Sequence, residues 1–466
     1  ELAELSPQEK RALLAKLLRA KAEESESQPA RSRSGGLEQL AANVADLQAQ
    51  VILDPAIQVG GKPVLSAAEP AFILLTGATG FLGAFLLDEL LRKTQADIYC
   101  LVRCSNVAEG RRRIEENLAL YLPKDEHPGS RIIPVPGDMA KPLLGLSEQQ
   151  FEALADRIDA IYHSGAWVNW IYPYERLEPA NVFGTQEILR LACQVKVKPL
   201  HFVSTISVFP LFSESESAVI HEQDSLDHRG VLYGGYMQTK WVAEKLVSVA
   251  RSRGMPVAIY RPGLITGSSQ TGAWNTEDVT SKLVKTIVEL GFTPDLDAAT
   301  DMTPVDYVSR AIVHLASSPG ALGGVFHLTN PEPVRVKDLV RWLRSFGYPI
   351  KPLSYERWRT RLVESARGSL DTASHSVAPL FSIKLSEEAQ QSGAYQSGTS
   401  DGLGIIFISQ YARMKMKFDC QKALDGLANS DVSCPVVDGQ MFDAYLTYFV
   451  RSGFLDAPPT GDASGV

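Results

Sequence analysis

The sequence predicts an α/β protein: a doubly wound parallel sheet followed by a smaller, mostly helical C-terminal lobe. Three observations carry that expectation. Strand-like apolar runs alternate with helical stretches from Phe72 onward, a glycine-rich turn separates the first strand from the first long helix, and the alternation breaks down after about residue 270.

The elements follow in order. FILLT at residues 72–76 is a short apolar run, TGATGFLG is the turn, and FLGAFLLDELLRK has the apolar period of a helix. Strand-like runs recur at DIYCLVR, RIIPVPGD, AIYHSGA, PLHFVSTISVF and VAIYRPG, with helical stretches such as SEQQFEALADR and TQEILRLACQ between them. Such alternation implies right-handed crossovers and a Rossmann-type parallel sheet covered on both faces. Beyond it, VTSKLVKTIVELG, VDYVSRAIVHLA, VKDLVRWLRSFG and QMFDAYLTYFVRSG read as helices and VFHLT as a strand. The stretch from Ser382 to Gly404 is poor in apolar residues and reads as a loop.

Residues 7–22 place Leu13, Leu14, Leu17 and Leu18 on one helical stripe, and the serine-rich AEESESQPARSRSGG that follows has the composition of a flexible linker. The expected organisation is a helix and linker to something upstream over 1–70, a dinucleotide-binding domain over 71–275 with 300–330 contributing, and a helical substrate lobe over 276–466. A chain starting with Glu1 fits a piece of a longer polypeptide.

Composition narrows the function. A net charge of −8 argues against general nucleic-acid binding, which needs a basic footprint. The absence of an apolar run near the roughly 18 residues that cross a bilayer, and the charged N-terminus, point to no membrane and a cytoplasmic home. Five scattered cysteines argue against a disulfide framework. Cys100 and Cys104 lack the second pair that a metal site needs, so no metal is expected.

The turn spaces Gly77, Gly80 and Gly83 as GxxGxxG, which lets backbone N–H groups and a helix N-terminus approach a pyrophosphate. An NAD site would place an acidic side chain about twenty residues on, at the ribose 2′-hydroxyl. This chain has Arg103 there, followed by Arg111, Arg112 and Arg113. A guanidinium suits a 2′-phosphate, so NADP(H) is expected, with Arg111 and Arg112 read as a solvated helix face. Gly137 and Asp138 of PGD end the third strand, where the carboxylate could meet the adenine amino group. Gly165 and Ala166 of HSGAWVN leave room for a ribose against the backbone.

Tyr236 and Lys240 in LYGGYMQTKWVAEKL stand four apart on a helix, so both heads reach one ligand. Ser204 and Thr205, ending the preceding strand, fall at the same sheet edge. A phenol and a hydroxyl can donate to a carbonyl oxygen as hydride arrives at its carbon, and a nearby ammonium is expected to lower the phenol pKa and bond the nicotinamide ribose.

TGATGFLG, HSGAWVN, NVFGT, STISV, YMQTK and YRPG together resemble the extended short-chain dehydrogenases/reductases. With LVR, PGD and the long helical tail, the chain from about Ala71 to Phe454 resembles the terminal thioester reductase domains of nonribosomal peptide and hybrid polyketide synthetases, with a myxobacterial-type enzyme as the nearest likeness. It also resembles the C-terminal part of carboxylic acid reductases. The resemblance implies Thr205, Tyr236 and Lys240 as a catalytic trio, with Thr205 where many relatives carry serine. It implies cofactor contacts from Gly77, Thr79, Gly80, Phe81 and Leu82, a 2′-phosphate clamp of Arg103 and Arg113, and an adenine partner in Asp138. Asn181 would support the proton relay, and Pro262 and Gly263 would border the nicotinamide.

The implied substrate is an acyl or peptidyl thioester on the phosphopantetheine arm of an upstream carrier domain, reduced with NADPH to an aldehyde and onward to a primary alcohol. Alternatives are a carboxylic acid reductase module stopping at aldehyde, a nucleotide-sugar epimerase or dehydratase, and a catalytically silent or cyclising module. The tyrosine disfavours the last. Residues 335–367 carry nine basic side chains against three acidic ones. This is either a carrier-docking rim or a solvated pair of helices.

Overall fold

The computed structural model describes residues 41–60, 69–123, 129–209, 218–227, 230–318, 320–368, 373–382 and 416–459. The predicted helix at 7–22 and nearly all of the predicted 382–404 loop lie outside them.

Seven strands form one fully parallel sheet: β1 Phe72–Thr76, β2 Asp97–Val102, β3 Ile132–Pro136, β4 Ala160–His163, β5 Leu200–Val203, β6 Val257–Pro262 and β7 Val325–Leu328. Their order across the sheet is β3-β2-β1-β4-β5-β6-β7, with Thr76 opposite both Leu101 and His163. The order reverses between β1 and β4, and the crevice outside the carboxyl ends there is where such sheets bind ligands.

Helices cover both faces. α1 Phe81–Lys93 buries Phe85, Leu86, Leu87, Leu90 and Leu91 against the sheet and ends on Arg92 and Lys93, which complement the helix dipole. α2 Val107–Tyr121 starts at Asn106, whose side chain accepts from the Glu109 amide. α3 Glu148–Arg157 starts at a capping box of Ser147 and Gln150. α4 Gly184–Cys193 continues from a π-helical turn, Pro179–Phe183.

α5 Gly235–Ser252 carries Tyr236 and Lys240 in its first turns. The glycine pair before it has a steric reason. Gly234 has φ +87°, and a Cβ on Gly235 would lie 2.5 Å from the Pro173 and Tyr174 backbone. α5 buries Trp241, Val242, Leu246 and Val247 in the cluster beneath one sheet face.

The C-terminal region holds α6 Val279–Leu290, α7 Val305–Ser317, α8 Val336–Phe346, α9 Tyr355–Gly368, α10 Ala373–Ser382, α11 Gln421–Leu427 and α12 Gly439–Arg451. It is less of a separate lobe than the sequence suggests. α7 packs on α1, and Phe418, Ala423, Leu427 and Val432 join the two apolar clusters that flank the sheet. The 276–466 lobe therefore splits: α6, α8, α9, α10 and α12 build walls beside the sheet, while 416–432 returns to it. Short apolar contacts made late in the chain decide this, and no periodicity announces them.

All five cysteines are free thiols, and burial pushes Cys100 up to about 12. Among the described residues no helix is long and apolar enough to cross a membrane.

Candidate active site

A cavity of about 710 Å³ opens along the carboxyl ends of the strands, lined by the turns after β1, β3, β4, β5 and β6 and closed on the far side by the starts of α5 and α6 and by α10. It gathers Gly77, Thr79, Gly80, Phe81, Leu82, Arg103, Arg113, Asp138, Gly165, Ala166, Ser204, Thr205, Tyr236, Lys240, Pro262 and Gly263. Of the residues singled out from the sequence, Asn181 is not among the lining residues.

The glycine turn fits a pyrophosphate. Gly77 has φ +84°, and a Cβ there would meet the Gly165 amide at 2.9 Å, so the turns after β1 and β4 abut at the switch point. A Cβ on Gly83 would lie 1.8 Å from the Gly77 carbonyl oxygen, which is why α1 packs so close to its own turn. Gly80 caps α1 with no side chain, leaving first-turn N–H groups beside the cavity.

Arg103 follows β2 directly, and Arg113 donates to the Arg103 carbonyl, so both guanidinium-bearing residues border one end of the cavity. The other two arginines of α2 are engaged elsewhere. Arg112 pairs with Glu116 at 2.7 Å on the surface, while Arg111 donates to the carbonyls of Gly129 and Ile132 at 2.9 Å each and staples α2 to the start of β3. Asp138 accepts from the Ala140 amide at 3.0 Å and faces the same end.

At the other end, β5 stops at Val203, earlier than the predicted strand. Thr205 instead caps a 3₁₀ turn, Ile206–Val208, accepting from the Ser207 amide at 3.1 Å. That use of its oxygen leaves its proton free for donation. Lys240 donates from Nζ to the Val203 carbonyl at 2.8 Å and lies 4.3 Å from the Phe202 ring centroid. Burial lowers it to about 8, with Glu244 pulling the other way.

The expectation that Lys240 depresses the Tyr236 pKa is not met. Burial holds the phenol above its usual value, and the ammonium is turned to a backbone carbonyl. Tyr236 and Thr205 both line the cavity, and burial keeps the Tyr236 phenol protonated at neutral pH.

Several contributors are not announced by the motifs. Trp170 packs against Tyr236 with ring centroids 5.6 Å apart. Glu244, two turns beyond Tyr236 on α5, accepts the Ser204 hydroxyl and pairs with Arg261 of YRPG at 2.5 Å. A signal for it exists: Tyr236, Lys240 and Glu244 repeat at i, i+4 and i+8. A Cβ on Gly263 would fall 1.7 Å from Asp301 Oδ2, so only glycine fits there.

Behind the cavity, Asn181 accepts from the Trp167 amide at 2.7 Å and donates to the Trp167 carbonyl at 3.1 Å and to Thr239 Oγ1 at 3.0 Å. Thr239 in turn donates to the Tyr236 carbonyl at 2.9 Å. Asn181 therefore positions the loop after β4 and the first turn of α5. His163 completes this scaffold: Thr185 donates to the Asn181 carbonyl, so His163 must donate from Nε2 to Thr185 at 3.0 Å and accept at Nδ1 from Thr76 at 2.7 Å. Thr76 accepts from the Gly165 amide at 2.9 Å, linking the chain to the glycine turn.

Fold and cavity together define a dinucleotide-binding oxidoreductase of the extended short-chain dehydrogenase/reductase type. The chain belongs to the NAD-binding family described as Male sterility protein, matched over residues 75–312. It is similar to the terminal R domain from the myxalamid PKS-NRPS biosynthetic pathway, with 43% identity and a TM-score of 0.78 over 89% of this chain and 99% of that one. It is 41% identical over 88% of its length to a linear gramicidin synthase polypeptide of Brevibacillus parabrevis, and 35% identical over 89% to glycine betaine reductase ATRR of Emericella nidulans. The chain spans 8% and 31% of the length of those two relatives.

Proposed function

We propose that this chain catalyses NADPH-dependent reductive release of an acyl or peptidyl thioester carried on the phosphopantetheine arm of an upstream carrier domain, giving an aldehyde and then a primary alcohol. The observation that supports it best is the meeting of Thr205, Tyr236 and Lys240 with the glycine cradle and the Arg103–Arg113 pair in one cavity. Similarity to terminal reductase domains of peptide synthetases supports the thioester and the carrier. We propose, too, that 71–275 with 300–330 is the cofactor domain and that α6, α8, α9, α10 and α12 wall the substrate side.

When bound, the reduced nicotinamide supplies a hydride. The first-turn N–H groups of Phe81 and Leu82 would hold the pyrophosphate, with the Gly80 N–H turned to the Gly77 carbonyl at 2.8 Å; Arg103 and Arg113 would hold the 2′-phosphate, and Asp138 would receive the adenine amino group. Lys240 secures the nicotinamide ribose while its charge supports the developing oxyanion. Thr205 and Tyr236 donate hydrogen bonds to the thioester oxygen, and Tyr236 delivers its proton as the carbonyl carbon becomes tetrahedral. The hemithioacetal then breaks its C–S bond: its hydroxyl proton passes to the sulfur, so the thiol departs protonated and the aldehyde remains. A second reduction of the aldehyde uses the same donors.

The test is NADPH oxidation with an acyl phosphopantetheine thioester, coupled to mass analysis of the product. Wild-type protein should consume cofactor and form aldehyde and alcohol, and Tyr236→Phe should lose at least about a hundredfold in turnover. Full turnover in Tyr236→Phe would falsify the mechanism.

A further inference from the structure

The loop after β4 divides its side chains in an unusual way. Trp170 and Ile171 pack inward, against the sheet cluster and the wall cluster built on Trp358 and Phe381. Trp167 and Val168 line the cavity and yet remain 40% and 54% exposed. Their exposure does not come from a loose backbone. Asn181 grips both the amide and the carbonyl of Trp167, and Asn169 Oδ1 accepts from the amides of Ile171 and Tyr172 at 2.9 Å each. A rigid loop thus presents two apolar side chains to water at the mouth of the site.

A cation completes the patch. The Arg176 guanidinium lies 3.9 Å from the Tyr172 ring centroid and 5.8 Å from that of Trp167, and Tyr172 meets Trp167 edge-on at 5.6 Å. Arg176 is exposed and forms no ion pair among the described residues. Stacking on Tyr172 orients its fork while leaving its donors open. Trp167 and Val168 line the cavity, and Arg176, which is not a lining residue, stands 5.8 Å from the Trp167 ring with no ion pair among the described residues. Arg103 and Arg113, the cations suited to the cofactor, belong to other elements, the turn after β2 and the helix α2.

We propose that Trp167, Val168 and Arg176 form a subsite for the phosphopantetheine arm, which rests on the reading that the substrate is an arm-bound thioester. The gem-dimethyl carbon of the arm lies on Trp167 and Val168, and its phosphate accepts from Arg176. The arm is the one part of such a substrate that joins a quaternary apolar carbon to an anion a single carbon and oxygen away. That pairing matches the mouth. Binding energy taken here, remote from the carbonyl, positions the thioester for reduction.

The experiment compares one acyl group presented as the thioester of 4′-phosphopantetheine, of pantetheine and of N-acetylcysteamine. In the wild type, kcat/KM should fall about tenfold on loss of the phosphate and again by about fivefold on loss of the pantoyl part, mainly through KM. Arg176→Ala should abolish the first ratio and spare the second, and Trp167→Ala should shrink the second. Ratios are independent of the folded fraction, so partial instability of a variant does not obscure them. Equal kcat/KM for all three thioesters in the wild type overturns the subsite while leaving thioester reduction intact. Unchanged ratios in both variants, or a raised KM for the cofactor in Arg176→Ala, overturn it as well. If the wild type reduces none of the three, the functional reading falls and the subsite with it.

Discussion

Glu244 and Arg261 form an ion pair 2.5 Å apart whose side chains are 0% and 3% exposed, and Ser204 donates its hydroxyl to the same carboxylate. Arg261 also meets His327 Nε2 at 3.2 Å, and Glu222 accepts from the amides of His327, Lys422 and Ala423. The loop bearing Thr205 is thereby tied through β6 and β7 to α11. Removing one member of a buried pair strands the other charge, which costs about 3–5 kcal/mol. Glu244→Ala should lose that much stability in urea unfolding, and the Glu244→Met, Arg261→Met double variant should recover most of it. Equal losses in both would mean that the pair is not the source.

The pH profile should separate the two neighbours in α5. Lys240 is lowered to about 8 by burial, while the Tyr236 phenol is held above its ordinary range. If the ammonium is the required form, kcat/KM falls as pH rises past about 8, with Tyr236 still protonated. Lys240→Arg should remove that limb. A limb near 10, unmoved by this substitution, would assign the control elsewhere.

Cofactor choice should follow Arg103. Arg103→Ala is expected to raise KM for NADPH by roughly 30-fold and leave KM for NADH nearly unchanged, because a charge-assisted contact to phosphate contributes about 2 kcal/mol. Parallel initial-rate measurements with the two cofactors check this. Equal effects on both would remove the 2′-phosphate assignment.

Acid should weaken the fold through buried imidazoles. His163 and His201 are each lowered to about 3 by burial, whereas the unfolded chain takes up those protons near 6.5. Between these values the unfolded state binds more protons, so stability falls as pH drops through the window, by up to about 1.4 kcal/mol per unit per histidine. Asp278, raised to about 6 by burial, works the opposite way between 6 and its ordinary value, since its folded form protonates first. Two histidines over the wider window dominate. Urea midpoints should decline from about pH 6.5 to 4.5, and a midpoint constant over that range would contradict the buried neutral imidazoles.

What is legible in the sequence is local. The glycine turn, the Tyr236–Lys240 stripe and Arg103 after LVR each lie within one short segment, where spacing alone sets the geometry. The sequence puts Thr205 at the right edge but inside a strand, because its role in capping a 3₁₀ turn depends on where β5 loses its partner. Glu244–Arg261 joins a helix to a strand, and the Asn181 grip joins a π-helical turn to the loop after β4 and to α5. Neither has a period to read. The direction of the Tyr236 shift is hidden for another reason: four-residue spacing measures proximity, whereas the pKa depends on desolvation and on which acceptor the ammonium faces. The return of 416–432 to the sheet is set by tertiary packing alone.

The hydrogen-bonded chain under the switch point has one further consequence. With His163 neutral and the run bounded by the Gly165 amide at one end and the Asn181 carbonyl at the other, that scaffold has no end group that readily gives or takes a proton. In the proposed reaction, the proton that Tyr236 gives up would return from bulk water through the mouth of the cavity. Substrates that plug the opening should then slow recharging between turnovers.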